Sequence, residues 1–198
     1  WIMHIAAYEE AAENADLVIF SESSLTGYPI GDLALHEQFL KDCMQANDTL
    51  VELTEGEGRP GILFGTLIVD ESVEPPFYAY GARHRRMKGV TFNAALLGEN
   101  GDVIGKRYKR SLPTFGPFDE ARWFEPGPLQ GPVMFRNAKI GLQICDDAWR
   151  EDGPETLEET ARGVSSGVPL SRKGIRIYTL AAGGTGIPIR GNPIDRHK

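Results

Sequence analysis

Cysteine is scarce. Cys43 and Cys145 are the chain's two cysteines, too few for a disulfide framework, and this usage fits a reducing compartment. No apolar run approaches the roughly 20 residues that a membrane-spanning helix needs. Positive charge is in deficit. The 21 Lys and Arg against 28 Asp and Glu leave a net charge of −7, which sets aside nucleic acid and anionic membranes as partners, since both require a basic face. His4, His36, His84 and His197 show no metal-ligand spacing with either cysteine, so no metal is assigned. Low-complexity tracts and internal repeats are missing, as is a basic segment leading into an apolar signal core, so the expected location is cytoplasmic. The Asn47-Asp48-Thr49 triplet is then a chance match to a glycosylation site. With 198 residues, 41% hydrophobic and 25% charged, the chain can still bury a core of single-domain size.

Periodicity predicts a helix over 2–14, then a short apolar strand, Leu17-Val18-Ile19-Phe20, of the kind found in buried parallel pairings. A loop with Gly27 and Pro29 leads to a longer predicted helix over 33–53, ended by Gly56, Gly58, Pro60 and Gly61. Residues 62–69 read as a strand. The stretch 70–89 is polar and carries a basic cluster from Arg83 to Lys88, read as a solvated excursion. Residues 91–97 and 102–109 flank Asn100-Gly101, the strongest short hairpin signal because both positions accept positive φ. A long loop is expected over 111–131, a strand over 138–144 and a helix over 152–162. The order of elements predicts an α/β fold. From Gly163 onward Gly and Pro recur every few residues, and the chemistry is expected before that point.

Three polar residues fall at strand ends: Glu22, Lys109 and Cys145. In α/β sheets, ligands sit outside the carboxyl ends of the strands. A lysine there lowers a thiol pKa and steadies an oxyanion, and a carboxylate relays protons. Spacing alone leaves the alternative open that Cys145 is inert core and that the two charges are solvated. Cys43, on an apolar helix face, is expected to be unreactive.

The neighbouring residues narrow the choice. Asp16 to Glu22 with Leu25-Thr26-Gly27-Tyr28-Pro29 and Asp32-Leu33, Lys109 to Glu120, and Ile140 to Trp149 resemble three ordered motifs of the nitrilase, or carbon–nitrogen hydrolase, superfamily. The version here is most similar to the glutaminase domain of glutamine-dependent NAD synthetases, over about residues 5–160. The resemblance implies an α-β-β-α sandwich, incomplete at both ends, within one domain over 1–198. It also implies hydrolysis of the glutamine side-chain amide, with Glu22 as general base, Lys109 as electrostatic stabiliser and Cys145 as nucleophile. Glu120 would orient Lys109. Phe115, Asp146 and Arg176 would contact substrate, although Phe115 stands where tyrosine is usual and Asp146 where glutamate is usual. Tyr28 and Asp32 are expected to hold the loop after Glu22.

The family's opening strand would precede Trp1, and Val168 replaces a serine that helps hold glutamine, so very weak glutaminase activity, or none, is expected of residues 1–198 taken alone. The Ser-Gly-Gly-x-Asp-Ser nucleotide loop of the synthetase does not occur in them. ATP and magnesium would therefore belong to a synthetase domain, downstream or in trans, and no cofactor is expected here. The expected partners are a small amide substrate, that synthetase domain and possible further copies of the chain. A stand-alone amidase acting on another small carboxamide, and an inactive interaction module, are the alternative readings.

Overall fold

The computed structural model describes residues 1–74 and 88–148. Two helices, α1 (Ile2–Ala11) and α2 (Glu37–Glu52), cover one face of a four-stranded sheet. The sheet runs in the order β1 (Leu17–Ile19), β2 (Gly61–Asp70), β3 (Val90–Glu99), β4 (Asp102–Tyr108). β1 is parallel to β2, and the other pairs are antiparallel. A two-stranded hairpin, β5 (Val133–Phe135) with β6 (Ala138–Ile140), lies against the other face. The described residues thus form a helix layer, a sheet and a start of a second sheet.

The burial pattern explains the sequence of the central strands. The first nine residues of β2 and of β3 are all buried. Alternate side chains serve different layers. Ile62, Phe64 and Ile68 of β2 join Phe92, Ala94 and Leu96 of β3 under Tyr8, Leu50 and Val51 of the helices. Leu63, Ala95 and Leu97 face the other way and pack with Phe135, Ile140, Leu142 and Ile144. Each such fully buried Leu, Ile or Phe contributes about 1.5–3 kcal/mol. A third cluster joins Leu67 and Val69 to Leu40 and Cys43 of α2 and to Phe124 of the long loop.

The structure departs from the sequence reading at three places. The helix expected over 33–53 is broken: a 3-10 turn over Gly31–Leu35 ends at His36, whose extended backbone (ψ 108°) separates it from α2. The strand expected over 138–144 stops at Ile140. β5 went unread because it has three residues and its turn contains no glycine; Arg136 itself takes φ +50°. Arg136 ties that turn to the first sheet through Asp16 and Glu99. The helix expected over 152–162, the cluster over 83–88, Val168 and Arg176 lie partly or wholly outside the described residues. No helix among the described residues is long and apolar enough to cross a membrane.

Candidate active site

Lys109 follows β4, and its backbone N–H donates to the Asn93 carbonyl at 2.8 Å, extending the β3–β4 ladder by one step. That pairing depends on an irregularity. Glu99↔Asp102 and Gly98↔Val103 begin the hairpin, but from Leu97↔Gly105 onward the register has shifted by one residue. A β-bulge therefore turns every later β4 side chain to the opposite face. Lys109 arrives beside Asn93, on the face that carries Ala95 and Leu97.

The ammonium group of Lys109 is fully buried between two carboxylates. Nζ donates to Glu22 Oε1 at 2.7 Å and to Glu120 Oε1 at 2.8 Å. Asn93 Nδ2 donates to Glu22 Oε1 at 2.8 Å and lies 3.5 Å from Glu120 Oε2. Burial works against the Lys109 charge, but the two carboxylates outweigh it and hold its pKa above the ordinary 10.5. Burial also raises Glu120, against the pull of Lys109. Breaking such a pair leaves an uncompensated buried charge, a loss of about 3–5 kcal/mol.

Glu22 reaches this point because β2 carries a glycine beneath it. The Ser21 carbonyl accepts from Gly65 N–H at 3.1 Å, and the Gly65 carbonyl accepts from Leu25 N–H at 3.1 Å. A Cβ on Gly65 would lie 2.4 Å from Ser21 O and Ser23 N and 2.5 Å from Glu22 Cα. The loop can rest on the strand only where that atom is missing. Ser23 then takes φ +49°, a conformation uncommon outside glycine.

Cys145 also has left-handed backbone, φ +47°, at the start of a 3-10 turn over Cys145–Ala148. Strain of this kind collects at functional sites. Asp147 fixes the turn. Its Oδ1 accepts from the N–H groups of Arg110 (3.1 Å) and Ser111 (2.8 Å), and its Oδ2 accepts from Ile144 N–H (3.2 Å). One buried carboxylate thus laces the residue before Cys145 to the two residues after Lys109. Cys145 itself is half-buried and packs at the margin of the cluster containing Leu63 and Ile144.

Tyr28 closes the group. Burial pushes its phenol well above the ordinary 10, and interactions with Glu120, Glu22 and Cys145 push the same way. Its hydroxyl therefore meets Glu120 rather than only supporting its own loop. Phe118 tilts against Tyr28 (5.9 Å between centroids), and Phe115 meets Phe118 edge-on at 5.5 Å. Phe115 is 63% exposed, at the outer end of this aromatic row. Asp146 sits half-buried directly after Cys145. Glu22, Lys109 and Glu120, far apart in sequence, therefore meet directly, and Asp147 ties the turn that begins at Cys145 to the residues after Lys109. Cys43 is buried in α2, where burial pushes its thiol up to about 11. No group of three or more His, Cys, Asp or Glu suited to a metal occurs among the described residues.

Sequence reasoning missed Asn93 and gave Asp147 no role. Asn93 had a usable signal: an asparagine inside an otherwise apolar strand must find partners when buried.

The carbon–nitrogen hydrolase family profile matches residues 1–154. The chain belongs to the carbon–nitrogen hydrolase family. A glutamine-dependent NAD(+) synthetase of Thermotoga maritima is 31% identical over 150 residues, covering 76% of this chain and 23% of that protein. Another, of Rhodobacter capsulatus, is 30% identical over 186 residues, covering 90% of this chain and 30% of that protein. The chain thus spans about a quarter of the length of the curated relatives it matches. Among solved structures, the glutamine-dependent NAD+ synthetase of Acinetobacter baumannii superposes with a TM-score of 0.63 at 27% identity, over 81% of this chain and 26% of that one. An amidase of the nitrilase superfamily from Nesterenkonia AN1 superposes at 0.54 with 17% identity, over 81% of this chain and 53% of that one, a likeness of fold. This carbon–nitrogen hydrolase domain has the nitrilase fold.

Proposed function

We propose that this domain hydrolyses the side-chain amide of glutamine through a thioester on Cys145, and that it supplies the ammonia to an NAD-synthesising partner. The observation that carries the reading is the buried Lys109 held between Glu22 and Glu120, with the Cys145 turn laced to the same strand end by Asp147. The chemistry follows from these groups. Sγ of Cys145 attacks the amide carbon while Glu22 takes the thiol proton. A lysine ammonium has three N–H groups, and two go to the carboxylates, leaving one for the oxyanion. As the C–N bond breaks, Glu22 returns the proton to nitrogen and ammonia leaves. Water then attacks the thioester, giving one proton to Glu22. The C–S bond breaks, glutamate departs, and the proton returns to the thiolate.

Phe115, Asp146 and Arg176 are the proposed substrate contacts, and Glu120 orients Lys109. ATP and magnesium would serve the synthetase region, within a longer chain or as a separate one. The two unpaired cysteines favour work in the cytoplasm. The test is release of ammonia and glutamate in equal amounts from glutamine, compared with asparagine and propionamide. Hydrolysis of glutamine that is lost in Cys145→Ala supports the proposal. Selective hydrolysis of propionamide would replace it with a stand-alone amidase. No hydrolysis of any amide, with or without a synthetase partner added, would contradict it.

A further inference from the structure

Glu22 presents two oxygens in different surroundings. Oε1 accepts from both Lys109 Nζ (2.7 Å) and Asn93 Nδ2 (2.8 Å). Oε2 is buried and has no hydrogen-bond partner among the described residues. A buried acceptor without a donor calls for an explanation, and a catalytic role is one of the few available. We infer that Asn93 is a positioning residue that decides which oxygen of Glu22 works as the base: it anchors Oε1 and leaves Oε2 bare to accept the proton. The inference rests on the Cys145–Glu22–Lys109 reading above and adds to it a residue and an atom.

Asn93 is suited to this task by its place in the sheet. It is completely buried, in the middle of β3, paired with Leu67 on one side and with Lys109 on the other. Its amide has one sensible orientation. Turned over, it would set Oδ1 against carboxylate oxygens of Glu22 and Glu120, acceptor against acceptor. Nδ2 must therefore face them, and Oδ1 is left buried without a partner. Lys109 alone could not fix Glu22, because it is shared with Glu120. A second donor on the same oxygen stops the carboxylate from turning and dividing its two oxygens between Lys109 and the reacting groups. Oε2 then meets in turn the donors that the reaction brings: the thiol, the leaving nitrogen and the attacking water.

The effect belongs to proton transfer, and deacylation isolates it. The probe is 4-nitrophenyl acetate, whose leaving group needs no proton. Acylation forms the Sγ–carbon bond and releases 4-nitrophenolate with the bonding pair, the thiol proton passing to Oε2 and from there to solvent, so that Glu22 is again a free carboxylate. In deacylation water forms the C–O bond and gives one proton to Oε2; the C–S bond breaks and that proton returns to the thiolate. The measurements are the burst amplitude, the decay of acetyl-Cys145 by mass spectrometry, and alkylation of Cys43 as a report of folding. We expect Asn93→Ala to keep the burst but slow the decay about tenfold, the worth of one lost hydrogen bond. The near-isosteric Asn93→Asp, which replaces a donor by an acceptor, slows it further. Decay at the parent rate in both variants, with Glu22→Gln slowed, overturns the inference and leaves the Glu22 base intact. Decay at the parent rate in Glu22→Gln as well, or no acetyl-Cys145 in the parent chain, overturns the underlying reading and the inference with it. Exposure of Cys43 in both Asn93 variants assigns Asn93 to the fold alone and also overturns it.

Discussion

Adding one methyl group to Gly65 should disable the site while leaving most of the fold standing. The added Cβ would lie 2.4 Å from Ser21 O and Ser23 N and 2.5 Å from Glu22 Cα. Ordinary contact begins at 3.4 Å, so in Gly65→Ala the loop bearing Glu22 must lift by about 1 Å. Every obstructing atom is backbone, so no side chain can swing aside. Overpacking of this kind costs about 1–3 kcal/mol, well short of the roughly 5–15 kcal/mol that holds a domain together. Tm should fall by about 2–4 °C per kcal/mol for a chain of this size. Activity should suffer more, since a displacement of about 1 Å costs on the order of a hundredfold in rate. Gly98→Ala is the control. Its Cβ would press on methyl groups of Val51 and Ile62 at 3.1–3.2 Å, on the helix-covered face away from Glu22. It should lower Tm without the hundredfold loss. Thermal unfolding with turnover of 4-nitrophenyl acetate and glutamine reads both effects. A Gly65→Ala protein that turns over at the parent rate would refute the idea that this glycine sets the height of Glu22.

Lys109→Met leaves Glu22 and Glu120 buried without their cation. It should cost about 3–5 kcal/mol near pH 7, and the loss should shrink as pH falls, because Glu120, which burial already raises, then takes up a proton and relieves the buried charge; Tm as a function of pH is the measurement. Asp147→Asn cannot satisfy all three N–H donors that the carboxylate now holds. Each stranded donor costs about 1–3 kcal/mol, and alkylation of Cys145 should slow relative to the parent chain. His4 is buried against Phe20 with both ring nitrogens unpartnered, and burial, followed by the charge at residue 1, holds its pKa below 6.5. The fold favours the neutral ring, so its contribution is complete above about pH 6.5 and is lost as pH falls below that value; denaturant midpoints should show a shallower acid loss in His4→Gln.

The family was legible because its three motifs are local runs of sequence. Glu22, Lys109 and Cys145 each stand beside an apolar strand and could be singled out on that basis. The Asn100-Gly101 turn was equally plain, and the structure gives these residues φ +54° and +82°. What could not be read was the consequence of the turn. An unbroken hairpin would carry the register of Glu99↔Asp102 onward and set Asn93 opposite Tyr108. The bulge between Leu97 and Gly98 moves it to Lys109 instead, and nothing local in Asp102 to Tyr108 announces that shift. Asp147 was hidden for a similar reason, since its partners are backbone N–H groups of Arg110 and Ser111, which have no signature in side-chain spacing. Tyr28 was read as loop support because its contact with Glu120 depends on how a turn and a distant loop meet. The break at His36 went unread because apolar periodicity continues across the 3-10 turn and α2 alike.

Labelling with one equivalent of iodoacetamide at neutral pH, followed by peptide mapping, tests the central claim most directly. The claim is that Cys145 is the nucleophile of a site built around Lys109, whereas Cys43 is packing. Cys43 is buried in α2 with its thiol pushed up to about 11, and Cys145 is half-buried at a strained turn that Asp147 ties to the residues after Lys109. Thiolates react and protonated buried thiols do not. The account predicts carbamidomethylation on Cys145 with Cys43 untouched. Label on Cys43, or divided evenly between the two, would contradict it.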